Sequence, residues 1–399
     1  MDKAFGVVAE FNPFHNGHNA LIHMARREGF THCAAVMSGN FMQRAQPAVA
    51  EKRVRTLAAL RGGVDLVLEL PVAYATSSAR RFAWGAVSLL QSSGSINTLC
   101  FGSEAGELDN LERLASVMDS PRMDHAMRRF LDTGLTFAKA RELAAGEVLG
   151  PDSARLLAQP NNLLGVEYLR AKRELSWNAR AITFPRVGVD HDSDKTWGKF
   201  ASASMLRSMS DNPIFMAPYM PEEAWDALKA ARKEGLFPAD AAKLETAILS
   251  HLRRLSQEQL RTLPDLSEGI EDRLYAAIRQ AVTLEDVYDG VKTKRYTHSR
   301  VRRLVLSAFL GLTESDVTAP PPYIRVLGFN RRGRELLSEM KALASLPIHQ
   351  SLARLEGLSP ACRRFASLEA LSTDLYTLSL PKPRPCGYDY TAEGVFLDD

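Results

Sequence analysis

Four short apolar stretches, AFGVVA at residues 4–9, THCAAVMSG at 31–39, VDLVLELP at 64–71 and INTLCFGS at 96–103, punctuate the first hundred residues, with helical text between them. A strand with one wet face alternates apolar and polar residues; these do not, so both of their faces must be covered. Continuous apolar strands separated by helix-length segments are the pattern of a parallel sheet with helices on either side. The intervening stretches support this. NGHNALIHMARREG places Ala20, Leu21, Met24 and Ala25 at helical spacing, and AVAEKRVRTLAALRGG is closed by Gly62 and Gly63. The expected fold class is therefore α/β, a doubly wound parallel sheet. Ligands of such sheets sit beyond the carboxyl ends of the strands, here the turns holding His15, Ser38, Glu69 and Gly102.

A chain of 399 residues has room for two or three domains. Residues 105–180 read as mainly helical, ARAITFPRVG at 179–188 as a further strand, and ASASMLRSM at 201–209 as a helix start. Beyond about residue 220 strand signals thin out, so a boundary is expected near 215, with 1–215 as the α/β domain and 216–399 mainly helical. YIRVLGF at 323–329 is a candidate for a strand returning to a sheet, and PKPRPCGYDY near the end reads as an extended surface tail. Hydrophobic content of 45% and charged content of 24% are those of ordinary globular proteins. Cys33, Cys100, Cys362 and Cys386 are widely separated, with no metal-ligand spacing, which fits a reduced cytoplasmic setting. No apolar run approaches the ~20 residues that span a bilayer, and the first residues lack the layout of a signal peptide, so the chain is expected to be neither secreted nor membrane-embedded.

The segment EFNPFHNGHN follows the first strand. His15 and His18 are three apart at a helix start, where they share a face beside the unbonded N–H groups of the first turn. Those groups and the helix dipole favour an anion, and an imidazole can stabilise charge that grows during attack at phosphorus. Gly17 between them would let a nucleotide approach the backbone. The alternative is a polar turn with solvated histidines. A second helix start, FASASMLRSM, offers Ser202 and Ser204 with Arg207 for the outer phosphates, or else an ordinary serine cap. MSGNFMQR supplies Ser38, Gly39, Asn40, Gln43 and Arg44 as a possible substrate loop. Gly102 in CFGSE could sit against an adenine, Arg186 could face phosphate, and VDHDSD at 189–194 could face a magnesium ion or be an acidic solvated loop.

GVVAEFNPFHNGH, MSGNFMQR, DLVLELP, FGSE, PNNLLGVEYL, ASASMLR, KTKRYTHSRVRR and YIRVLGFN occur in this order over nearly the whole chain. In that order they resemble the tRNA(Met) cytidine acetate ligase family, within the HxGH nucleotidyltransferase superfamily. The resemblance implies an enzyme, a ligase, that uses ATP, with magnesium, and acetate to make acetyl-adenylate. It then acetylates N4 of the wobble cytidine of elongator tRNA(Met). It implies an ATP site of Val7, Val8, Ala9, Glu10, Phe11, Asn12, Pro13, Phe14, His15, Asn16, Gly17, His18, Asn19 and Ala20, with Gly102, one or both of Asn161 and Asn162, and Arg186. His15 and His18 are the expected catalytic pair, and no resident metal ligand is expected. One departure stands out: the family pattern leads us to expect glycine after Gln43-Arg44, and here it is Ala45.

Net charge is only +3, but VKTKRYTHSRVRR at 291–303 carries six basic residues and no acidic one. Lys292, Lys294, Arg295, Tyr296, Arg300, Arg302 and Arg303 suit phosphate contacts and stacking on an unpaired anticodon base; the plainer alternative is a solvated helix face. Two other functions share parts of this pattern. A small-molecule cofactor nucleotidyltransferase leaves some 180 C-terminal residues without a purpose, and a non-catalytic RNA-binding protein gives no reason for both histidines and Arg207.

Overall fold

The computed structural model describes residues 3–186, 198–266, 269–293 and 296–398. The expected strands form at Ala4–Ala9 (β1), His32–Ser38 (β2), Leu66–Leu70 (β3), Thr98–Ser103 (β4) and Arg180–Pro185 (β5). They run parallel in the order β5-β4-β1-β2-β3. β2 and β3 are buried at every position, as unbroken apolar strands require. Helices Asn16–Arg27, Lys52–Arg61 and Ala79–Ser92 follow the first three strands, and Pro160–Glu174 precedes β5. The chain steps outward from β1 to β2 and β3, then returns past β1 to β4 and β5. The winding reverses between β1 and β4, and a crevice opens there at the strands' carboxyl ends.

The sheet does not stop at the boundary expected near 215. Ile324–Phe329 (β6) lies antiparallel against β3, with Glu69 opposite Arg325, and Ile348–His349 (β7) and Val395–Phe396 (β8) both pair with β6. The physical reason lies in β3, whose LVLEL backbone would otherwise be an apolar open edge. Among the described residues between 216 and 320 every named element is a helix, but the chain beyond them returns to finish the N-terminal sheet.

PKPRPCGYDY is likewise not a loose surface tail. Asp389, at the short helix Tyr388–Thr391, is buried and lies 2.7 Å from Lys52 Nζ, 2.7 Å from Arg325 and 2.8 Å from Arg53. Lys52 also reaches Glu69 at 2.6 Å, and Arg325 reaches Glu69 at 2.8 Å. Charges this deep survive only when paired, so the tail is fixed by the electrostatics of the β3–β6 seam. Among the described residues no helix is long and apolar enough to cross a membrane.

Candidate active site

After β1 the chain passes through Glu10–Phe14 and enters the helix Asn16–Arg27 with His15 as its N-cap. His15 Nδ1 accepts the Gly17 N–H at 3.0 Å, and His18 Nδ1 accepts the His15 N–H at 3.2 Å, a reciprocal capping box built from two imidazoles. The rings stack with centroids 3.8 Å apart. Because each Nδ1 is an acceptor, the hydrogen-bond pattern assigns the ring proton to Nε2 in both. Burial, then the Arg186 charge, push His15 down to about 3; burial, then His15 and Arg186, hold His18 well below the usual histidine range. Both are thus neutral N–H donors near pH 7. Gly17 lines the cavity and has a further structural purpose. A Cβ there would lie 2.9 Å from His15 Cε1, so the glycine first makes room for the capping imidazole.

These rings open on a cavity of ≈ 400 Å³. Its walls bring together Val7 to Asn12, His15, Gly17 and His18 from the first turn, Gln43 and Arg44 from the loop after β2, and Gly102 at the end of β4. Asn161 and Leu164 of the helix Pro160–Glu174, Arg186 after β5, and Ser202, Ser204 and Arg207 complete it. The Ser202 hydroxyl caps the helix Ala203–Ser208 by accepting the Met205 N–H at 3.1 Å, and Arg207 donates to the Asn12 carbonyl at 3.1 Å. That contact ties the second helix start to the first.

Several expected residues build the loops and do not line the cavity. Asn16 donates to the Lys199 carbonyl at 2.8 Å and Asn19 to the Gly62 carbonyl at 3.0 Å; Pro13, Phe14 and Ala20 are likewise not on the cavity wall. Between the two asparagines the geometry is decisive. Asn161 faces the cavity and its Oδ1 accepts from Arg186 at 2.9 Å, whereas Asn162 is fully buried, accepting the Ala105 N–H at 3.0 Å and donating to Gln159. The substrate loop divides in the same way. Gln43 and Arg44 line the cavity, but Ser38, Gly39 and Asn40 are buried behind it: Asn40 accepts the Lys52 N–H at 2.9 Å and donates to Thr373 at 3.2 Å. A Cβ on Gly39 would lie 2.9 Å from Glu69 Oε1. The Asn40 side chain is thus spent on holding the loop to the neighbouring helices.

Two residues that organise the site were not singled out in the sequence. Arg55 is buried and donates to the carbonyls of Glu10 at 2.7 Å, Ser38 at 3.1 Å and Gly39, tying the ends of β1 and β2 together. In EKRVR it looks like one more surface charge. Glu104 accepts the Asn161 Nδ2–H at 2.6 Å and the Asn162 N–H at 2.7 Å, capping the helix Pro160–Glu174 and turning the Asn161 carbonyl toward Arg186. Its signal was an acid two residues beyond the glycine of a strand end.

The basic segment is less free than its sequence suggests. Tyr296 is only 5% exposed and Arg300 covers its ring, so its face is not presented to a base. Arg300 and Arg303 each lie 3.6 Å from Asp265, and Arg302 lies 3.6 Å from Glu285 and over Tyr288. The acids missing from the segment are supplied by neighbouring helices and loops. Lys292 ends the helix Leu284–Val291. Lys294, Arg295 and the VDHDSD stretch lie outside the described residues.

A doubly wound sheet with paired imidazoles capping the helix after its first strand defines a nucleotidyltransferase of the HIGH type, and the family model described as HIGH Nucleotidyl Transferase matches residues 2–389. Within that class the relatives are specific. The tRNA(Met) cytidine acetate ligase of Caldanaerobacter subterraneus subsp. tengcongensis is 39% identical over 387 residues, covering 94% of this chain and 95% of that protein. That of Acetivibrio thermocellus is 34% identical, covering 99% and 100%. The crystal structures of Thermotoga maritima TmcAL superpose over the full length of both chains at 32% identity, with TM-scores of 0.93 for the apo form and 0.91 for the form bound with alpha-thio ATP. The chain belongs to the tRNA(Met) cytidine acetate ligase family.

Proposed function

We infer that this chain is an ATP-dependent ligase that activates acetate as acetyl-adenylate and transfers the acetyl group to N4 of the wobble cytidine of elongator tRNA(Met). The observation that carries the reading is the neutral, Nε2-protonated histidine pair at a helix N-terminus, opening on a cavity that also holds Arg186 and Arg207. In the first step an acetate oxygen attacks the α-phosphorus and pyrophosphate leaves with the bonding pair. The two imidazole N–H groups donate to the oxygens on which charge accumulates, without first having to lose or gain a proton. In this reading Arg207, Ser202 and Ser204 bind the outer phosphates, Arg186 faces phosphate beside the histidine pair, and Gly102 and Asn161 take the nucleoside end. Glu10 is the one carboxylate on the described cavity wall, a donor set that suits magnesium carried chiefly by the triphosphate and water.

A wobble cytidine is already unpaired in its loop, so its amine can reach acetyl-adenylate without melting a duplex. Lys292, Lys294, Arg295, Arg300, Arg302 and Arg303 remain the proposed tRNA face, contributing charge and not ring stacking. A tRNA substrate would place the enzyme in the cytoplasm.

Incubation with ATP, acetate and tRNA(Met) should yield N4-acetylcytidine with AMP and pyrophosphate in equal amounts. His15→Ala and His18→Ala should each lower acetate-dependent pyrophosphate exchange by about 10²–10³-fold, the effect of removing one preorganised donor. Undiminished exchange in both variants would remove the histidines from this role.

A further inference from the structure

β1 lies between β4 and β2, so the cavity beyond it has two wings. On the β4 side stand Gly102, Asn161 and Arg186, with the histidine pair at the centre. On the β2 side stand Gln43 and Arg44, joined to the first turn by Glu10, whose Oε1 accepts the Gln43 N–H at 2.8 Å. The other carboxylate oxygen has no hydrogen bond among the described residues, and Glu10 forms no ion pair with any of them. It is also the only carboxylate on the described wall of a cavity that also presents three arginines. A carboxylate facing a site for anionic reactants opposes their binding by charge repulsion, and a step that needs a base would give it a use.

The second half-reaction supplies that use, given the function proposed above. The N4 amine of cytidine is conjugated with its ring and weakly nucleophilic, and it becomes acidic only as it bonds to carbon, so the step needs a proton acceptor on the side from which the amine arrives. The histidines cannot serve, because each Nδ1 is occupied by a backbone N–H and each Nε2 already carries its proton.

We propose that Glu10 is the general base of acetyl transfer, standing on the acceptor wing of the cavity. The N4–carbon bond forms at the acetyl carbonyl, the bond from that carbon to the phosphate oxygen breaks, and AMP departs with its electron pair. The N4 proton passes to the free oxygen of Glu10 and from there to water. Gln43 holds the other oxygen, which fixes the direction in which the carboxylate points.

The full-length protein tests this through its two half-reactions, acetate-dependent pyrophosphate exchange and single-turnover transfer from preformed acetyl-adenylate to tRNA(Met). Glu10→Gln keeps an oxygen for the Gln43 N–H and removes the base; Glu10→Ala removes both. Transfer should fall about 10²-fold or more in both variants, well beyond any fall in exchange, and acetyl-adenylate should accumulate on the Gln variant when tRNA is present. Wild-type transfer by Glu10→Gln with loss only in Glu10→Ala would make Glu10 a loop anchor and overturn the proposal. Equal loss of exchange and transfer would assign it to adenylation and overturn it too. Wild-type protein that forms no acetylcytidine would instead overturn the functional reading on which the proposal rests.

Discussion

His15 serves at once as the structural cap of a helix and as a donor into the cavity, and the two roles depend on each other. Accepting the Gly17 N–H with Nδ1 fixes the tautomer that leaves Nε2–H free to donate, and Gly17 must lack a Cβ for the ring to lie over the turn. The spacing of H-N-G-H was legible in the sequence; the use of Nδ1 was not, because it depends on the ring's torsions. Ala45 shows the reverse. Its place after Gln43-Arg44 raised the question of whether the loop needs a left-handed residue there, and its φ is 58°, with its N–H bonded to the Met42 carbonyl at 2.9 Å. A left-handed alanine costs ~1 kcal/mol relative to glycine. Ala45→Gly should therefore raise the denaturation midpoint by an amount equivalent to up to ~1 kcal/mol, read in urea unfolding; a lower midpoint would show that the methyl group's packing outweighs the strain.

Among the elements, the seam between β3 and β6 is the most demanding electrostatically. Lys52, Arg325 and Arg53 balance Glu69, Asp389 and Glu51 in a dry interior, and Glu369 from the helix Pro360–Thr377 enters the same region, accepting the Val72 N–H. Burial, reinforced by Glu69, pushes Glu369 up to about 8. The sign follows from linkage. Glu369 stays protonated when folded and ionises when unfolded, so its contribution is present below the ordinary carboxylate range and is lost as pH rises toward about 8. Glu369→Gln, which imitates the protonated form, should leave stability little changed at pH 5 and raise it at pH 8. Denaturation midpoints at the two values check this, and a variant less stable than wild type at pH 8 would mean that the carboxylate is ionised and paired. The sequence announced β6 only as a candidate strand and gave β7, β8 and Asp389 no signal. Two-residue strands carry no periodicity, and ion pairs between residues more than 300 apart leave no local pattern.

For the whole molecule, the proposed tRNA face lies on the C-terminal helices and the chemistry beside β1, so charge and catalysis should separate experimentally. Alanine at both Lys294 and Arg295 should raise the tRNA concentration needed for half-maximal acetylation and flatten its salt dependence by roughly one to two counterions. Acetyl-adenylate formation should survive; equal loss of both half-reactions would place the segment's role elsewhere. The sequence by itself determined the α/β core, the order of its first five strands along the chain and the two helix starts at the site, because unbroken apolar strands, helical periodicity and capping residues are local patterns set by local physics. Only the tertiary structure decided that Asn161 and not Asn162 meets the cavity, that Arg55 and Glu104 hold its loops, and that the last eighty residues finish the first sheet. Each of these depends on which buried donor finds which acceptor across the chain, and a buried charge or open strand edge selects its partner by proximity in the folded state, where sequence distance has no energetic meaning.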